Sequence, residues 1–342
     1  MTAYRLPFVL ILILALAVLF AGIWGSAALW FRMPGPDTLR YIVLAFFVFV
    51  SCGAFFALFK TRHLRPFLVF AALFAALLAW WSTLTPPTDT DFAPDVARQV
   101  TGKIEGDQIT LSNIRDFEWT GPQEAGENWL TDTYDLSQMT GVDMLLSYWG
   151  DPKMAHFILS FGFADGRQLA WSVEVKRSRT GGFSPIADLF RANPLVIVAA
   201  TERDVVGVRT NHRGEDVLML RLAASPAEAR LLFEQYVTDA NELAAEPAWY
   251  NSLATNCTTV VFRMIQAAGG EFDLDWRILV NGYLPEYIYD RGSVVNDISV
   301  EELRELGRIS AKGQAAGLAD SAAYSAAIRA GVPLPARTGV VK

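Results

Sequence analysis

The chain has 342 residues and a formal net charge of -7; 52% of its residues are hydrophobic and 19% are charged. That acidic balance, with no basic cluster outside the apolar segments, gives a nucleic-acid role no electrostatic support and argues against holding anionic headgroups through charge. The apolar excess lies almost wholly before about residue 85, so an ordinary soluble chain is excluded as well.

Three stretches there, Leu6 to Phe31, Tyr41 to Phe59 and Pro66 to Leu84, have no charged side chain. Each reaches or approaches the ~20 apolar residues that cross a bilayer, so residues 1–85 are expected to form a three-helix membrane anchor (about 6–31, 41–59 and 66–84). A cleaved signal peptide is the rival for the first stretch, but its apolar core runs only ~7–15 residues and is not followed by two further spans. Lys60, Arg62 and Arg65 crowd the second connection and mark it as cytoplasmic; Arg5 puts the N-terminus on the same side, with Arg32 and Arg40 a minor contradiction. Everything after residue 85 is then expected outside the cytoplasm, on the periplasmic side of a bacterial inner membrane. Oligomeric state is left open.

The Pro/Thr/Asp run at 86–100 reads as a linker, 101–310 as the folded domain and 311–342 as an Ala-rich tail with little order of its own. Ile104 to Asn113 forms an expected hairpin about Glu105-Gly106-Asp107, and Thr131–Leu136 and Val142–Trp149 are expected strands. Ala155–Phe163 and Arg167–Lys176 flank Ala164-Asp165-Gly166, a strong hairpin turn. Matching apolar to apolar face across it puts His156 on the same polar face as Ser172 and Glu174, near one end. Strands follow at Pro194–Ala200 and Val217–Leu222. Ser225-Pro226-Ala227-Glu228 is a capping box that opens a helix to about Ala245. A loop at 250–256 leads into a helix at Cys257–Ala268, ended by Gly269-Gly270. The fold class is α+β.

The chain has two cysteines. Cys52 falls inside the second span and Cys257 in the domain, so they cannot pair. Cys257 follows Asn256, a favoured N-cap, at a helix start whose N–H groups and dipole would stabilise a thiolate or a developing oxyanion. Its bland alternative is a small buried hydrophobe. A cysteine nucleophile wants an imidazole base. The domain offers His156, with Glu174 across the hairpin, and His212 in what reads as an exposed turn; a satisfied histidine at a strand end is the rival for His156. Thr258 completes the helix cap or touches substrate. Glu202-Arg203-Asp204 reads as a charged turn with internal salt bridges, or as support for the site. Trp149, Trp171, Trp249 and Tyr250 read as core aromatics. No motif implies a metal or an organic cofactor: His156, Cys257 and the scattered acids lack zinc-ligand spacing, and no Gly-x-Ser-x-Gly elbow supports a serine site.

The ordered series Ala155–Phe163, Asp165-Gly166-Arg167, Ser172–Arg177, Glu202-Arg203-Asp204, Arg209-Thr210-Asn211, Arg213–Asp216, Trp249-Tyr250-Asn251 and Asn256–Thr259 resembles the domain of unknown function that forms the N-terminal periplasmic domain of Lnb-type lipoprotein N-acyltransferases. The resemblance covers about residues 100–295. It implies a circularly permuted papain-like thiol fold, related in layout to lecithin retinol acyltransferase, in which the histidine strand precedes the cysteine helix. It further implies Cys257 as nucleophile, His156 as base and Glu174 as the residue that orients the imidazole. Lnb-type enzymes carry their membrane part after this domain, whereas here the spans come first. The expected function is therefore a membrane-anchored thiol acyltransferase or hydrolase acting on a membrane lipid or lipoprotein. A cell-wall peptidase or amidase with the same Cys-His pair and a non-catalytic scaffold are its rivals.

Overall fold

A computed structural model describes residues 5–335, which divide into two compact units. The first comprises residues up to Pro87 together with Ser184–Ala192. Its helices α1 (Phe8–Arg32), α2 (Asp37–Thr61) and α3 (Arg65–Ser82) are long and apolar enough to cross a membrane. At 1.5 Å per residue the shortest spans roughly 27 Å, close to the ~30 Å hydrocarbon core. Prolines stand at their starts (Pro7, Pro36 and Pro66), where the missing N–H costs nothing. Small residues let α1 and α2 approach: a Cβ at Gly25 would lie 2.6 Å from the Phe47 ring and 2.8 Å from Leu77. The inserted Ser184–Ala192 holds a short helix, α4 (Pro185–Leu189), and belongs to this unit. Phe190 stacks on Phe31 with ring centroids 5.5 Å apart, and Arg191 Nη1 donates to the Trp81 carbonyl at 2.7 Å.

The second unit is built on ten strands: β1 (Thr101–Glu105), β2 (Gln108–Arg115), β3 (Glu118–Trp119), β4 (Ala125–Gly126), β5 (Trp129–Asp135), β6 (Met139–Tyr148), β7 (His156–Phe163), β8 (Gln168–Val175), β9 (Leu195–Thr201) and β10 (Asp216–Arg221). The main sheet runs β1-β2-β9-β8-β7-β6-β10, with β5 also on β2, and β3–β4 form a separate ribbon. Pairing is antiparallel except for one parallel contact, Arg115 with Ala200. The helices are α5 (Glu202–Val205), α6 (Pro226–Ala245), α7 (Thr259–Ala267), α8 (Leu284–Asp290), α9 (Val300–Gly307), α10 (Ser310–Ala316) and α11 (Ser321–Arg329). The fold is α+β, with three apolar N-terminal helices and a mostly antiparallel sheet.

Alternation along the strands makes two cores. Phe157, Leu159, Phe161, Leu169, Trp171 and Val173 face α6 and α7 through Phe233, Tyr236, Val260 and Val261. Ile158, Ala170, Val196 and Val198 face the other way, onto Val205, Ile309, Tyr324 and Ile328. Both halves of the expected capping box form at Ser225 and Glu228.

Two segments depart from expectation. The stretch 86–100 is not all free linker, because Phe92 bridges to Ser178, and Val96 and Val100 are fully buried on the sheet domain. The Ala-rich end is folded through α10 and α11, because Tyr324 and Ile328 complete the second core and Arg329 enters it as an ion-pair partner. The last seven residues of that expected tail, 336–342, lie outside the described residues.

Candidate active site

His156 is the first residue of β7, and Ser172 and Glu174 stand near the end of β8. Because Ile158 pairs with Ser172, the even-numbered residues put all three on one face, as the alternation predicts. His156 Nε2 lies 2.7 Å from Ser172 Oγ, and Ser172 Oγ donates to Glu174 Oε1 at 2.9 Å. Glu174 Oε1 is also 3.5 Å from His156 Nε2 and 3.5 Å from Arg209 Nη2. Arg209 Nε lies 3.7 Å from the Glu215 carboxylate, which Ser147 also hydrogen-bonds. A buried chain of polar groups thus runs from the imidazole into the domain.

Cys257 belongs to the opposite core, and its thiol and the His156 imidazole at the start of β7 act on one another's charge state. The helix predicted to begin at Cys257 begins at Thr259. Asn256 Oδ1 accepts the N–H groups of Thr258 (2.9 Å) and Thr259 (2.8 Å), so the cysteine sits in an Asx turn ahead of the first helical turn. The N–H groups expected to stabilise a thiolate are therefore spent on the cap. Two polar side-chain atoms, Thr258 Oγ1 and Asn281 Nδ2, lie near the sulfur, at 3.9 Å each.

These contacts set the charge states. Burial pushes the Cys257 thiol up, but the hydrogen bond and charge of His156, with the Phe157 and Thr258 donors, bring it below its ordinary value. Burial and the Arg209 guanidinium push His156 down, while Cys257 and Glu174 push it up and win. Burial works against Glu174 ionisation, yet His156, Arg209 and Arg115 hold it well below the usual carboxylate range. Such a pair can stand as thiolate and imidazolium, the form in which cysteine attacks carbonyls.

Asn281, which sequence reasoning did not single out, joins the histidine strand to the cysteine turn. It donates to the Ala155 carbonyl at 2.6 Å and to Thr258 Oγ1 at 2.9 Å, and accepts from the Ala155 N–H at 2.8 Å. Nothing local marks it, since Asn281-Gly282 reads as a plain turn. Ser172 and Arg209 were visible only as strand parity and as part of an ordered motif.

The acidic triplet makes its contacts elsewhere. Glu202 is fully buried and binds Ser160 and Arg329; Asp204 takes Arg115, the Phe117 N–H and Trp119 Nε1; Arg203 pairs with Asp116. The turn expected to be paired within itself is tied to distant strands and helices. His212 falls in a π-helical turn, Val208–Arg213. Among the described residues no group of three or more His, Cys, Asp or Glu side chains stands close enough to hold a metal ion.

Residues 125–282 match the family model of the Lnb N-terminal periplasmic domain, the family that the ordered motifs resemble. The match runs from β4 to the turn bearing Asn281, a narrower range than 100–295. No curated protein and no solved structure matches the chain.

Proposed function

From the match of residues 125–282 to the Lnb N-terminal periplasmic domain, we propose that this chain is a membrane-anchored thiol enzyme acting outside the cytoplasm on acyl groups of a lipid or lipoprotein. The observation that carries the reading is the buried network in which Ser172 and Glu174 hold His156 Nε2, while Cys257 and His156 shift one another's charge state. With Nε2 so engaged, Nδ1 is the nitrogen that serves the sulfur. The same order of histidine strand and cysteine turn supports a permuted papain-like layout. The positive connection between α2 and α3 supports a cytoplasmic N-terminus, an inner-membrane anchor and a periplasmic sheet domain.

In the proposed reaction His156 holds the thiol proton while the Cys257 thiolate attacks an ester carbonyl carbon. The C–S bond forms, the C–O bond breaks, and the imidazolium gives its proton to the departing alkoxide. An amine or water then attacks the thioester, His156 takes its proton, and the C–S bond breaks to restore the thiolate. Glu174 holds the ring through Ser172 and stabilises its charge. Asn281 donates to Thr258 Oγ1, which leaves the Thr258 hydroxyl hydrogen for the sulfur or a developing oxyanion. Asn256 fixes the turn. Glu202, Arg203 and Asp204 support the sheet from behind.

The test is intact-protein mass spectrometry after incubation with bacterial lipid extract. A hydroxylamine-sensitive, acyl-sized mass gain on the wild type, absent from Cys257→Ser and His156→Ala, is the expected result. No adduct with a fast-alkylating Cys257 would favour a peptidase or amidase of cell-wall peptide. No adduct with an ordinary thiol would leave a non-catalytic scaffold.

A further inference from the structure

On either side of Asn281, the residue that bonds Ala155 and Thr258, the chain exposes large apolar side chains. The run 272–283 carries Leu274 at 95% exposure, Trp276 at 60% and Leu279 at 51%. One turn holds the last two, with Leu279 and Val280 N–H groups both donating to the Trp276 carbonyl at 3.0 Å, and Trp276 lies 5.3 Å from the Tyr283 ring. Gly282 fastens this run to the loop before β7: its N–H donates to the Lys153 carbonyl at 2.9 Å, and a Cβ there would be 2.1 Å from the Pro152 carbonyl oxygen. Met154, also exposed, ends that loop two residues before His156. On the other flank, exposed Leu253 sits in the turn closed by Asn251 and Thr255, ahead of Cys257. The acids beside Leu274 are neutralised, Asp273 by Arg291 and Asp275 by Arg277, each at 2.9 Å.

The chain's own connections leave from this end of the sheet. Phe92, arriving from the anchor, bridges Ser178, and Ala93 N–H donates to the Arg177 carbonyl at 3.0 Å. The second excursion departs at Phe183 and returns at Asn193, whose carbonyl accepts the Tyr250 N–H at 3.0 Å. Both lie beyond the Val175–Leu195 pair that closes β8 against β9, the end at which His156 opens β7. Nine residues lie between Ser82, the last of α3, and Phe92, so the ten steps reach at most about 35 Å.

We propose that this rim is a bilayer-docking surface, with Leu274, Trp276 and Leu279, and Met154 and Leu253 beside them, inserted at the headgroup–acyl boundary of the leaflet facing the sheet domain. Tryptophan and leucine suit that depth. The contact is apolar, so it needs no anionic lipid. The inference uses the tethers and the exposed side chains, not the chemistry assigned to Cys257.

The test uses the full chain with Cys52→Ser and Cys257→Ser, carrying a nitroxide at Leu274→Cys, Leu279→Cys or, as a water-exposed reference, Lys103→Cys. Each is reconstituted in phosphatidylcholine vesicles and in vesicles of phosphatidylethanolamine and phosphatidylglycerol. The expected result in both is that labels at 274 and 279 collide with dissolved oxygen and lose collisions with a water-soluble nickel chelate, while the label at 103 keeps them. Nickel access at 274 and 279 equal to that at 103 overturns the proposal. So does spin–spin broadening without oxygen access, which assigns the patch to a second copy. Lipid contact only with phosphatidylglycerol present overturns its apolar basis. Because residue 257 carries no thiol in these variants, failure here and failure of the thioester experiment are separate results.

Discussion

Asn281 and Ala155 hold each other in both directions: the amide nitrogen donates to the Ala155 carbonyl at 2.6 Å and the amide oxygen accepts the Ala155 N–H at 2.8 Å. Since the same nitrogen lies 2.9 Å from Thr258 Oγ1, one side chain sets the cysteine turn against the histidine strand. Asn281→Ala is expected to leave the buried Ala155 N–H and carbonyl without partners, at about 1–3 kcal/mol each. Thermal unfolding should show that loss, and the iodoacetamide rate at Cys257 should fall because the sulfur drifts from His156. An unchanged alkylation rate would remove Asn281 from the site.

The charges around His156 predict opposite shifts for two variants. Alkylation of Cys257 by the anionic reagent iodoacetate should rise as the thiol loses its proton and fall once the imidazolium, whose charge draws the reagent in, loses its own. Glu174 raises the imidazole and Arg209 lowers it. Glu174→Gln should therefore move the alkaline fall to lower pH and narrow the reactive window; Arg209→Gln should move it to higher pH. The pH profile of the alkylation rate checks both signs. Arg209→Gln also takes from Glu174 and Glu215 the cation they share, so a stability loss of about 3 kcal/mol should accompany it.

Much of this site was legible beforehand. Period-two alternation placed His156, Ser172 and Glu174 on one face because one side of the hairpin must be apolar. The pairing of Cys257 with His156 came from the resemblance, since no spacing rule joins residues a hundred positions apart. Asn281 could not be read, because its partners are backbone groups of distant elements. The place of the triplet was also hidden: Glu202 needs Arg329, and nothing in an Ala-rich C-terminal segment announces a buried cation. The helix start moved by two residues because Asn256 spends its oxygen on Thr258 and Thr259.

Arg329 offers a separate test. Glu202 is fully buried and paired with it; burial opposes ionisation, but the arginine's charge and hydrogen bonds hold the carboxyl below its ordinary value. A depressed folded value means stability that is present above the unfolded value, ~4.3, and lost as pH falls through the folded one. Arg329→Met should cost about 3–5 kcal/mol at neutral pH. Its deficit should shrink in acid, where Glu202 takes a proton. Denaturant unfolding at several pH values measures this, and Cys257 alkylation should stay at the wild-type rate.

In the anchor, Gly25→Val would drive a side chain into Phe47 and Leu77. Overpacking of that kind costs about 1–3 kcal/mol. The anchor should unfold at lower temperature in detergent, with Cys257 reactivity unaltered; a wild-type melting profile would contradict the close approach of α1 and α2.

The order of the site along the chain bears on biosynthesis. His156, Ser172 and Glu174 leave the ribosome first, the thiol follows at 257, and the clamp at 281 follows that; Arg329, which fastens Glu202, comes later still. A nascent chain halted before residue 281 carries a cysteine that nothing holds against an imidazole. The setting of the cysteine turn against the histidine strand is therefore a late event of folding, expected only after residue 281 has joined the domain.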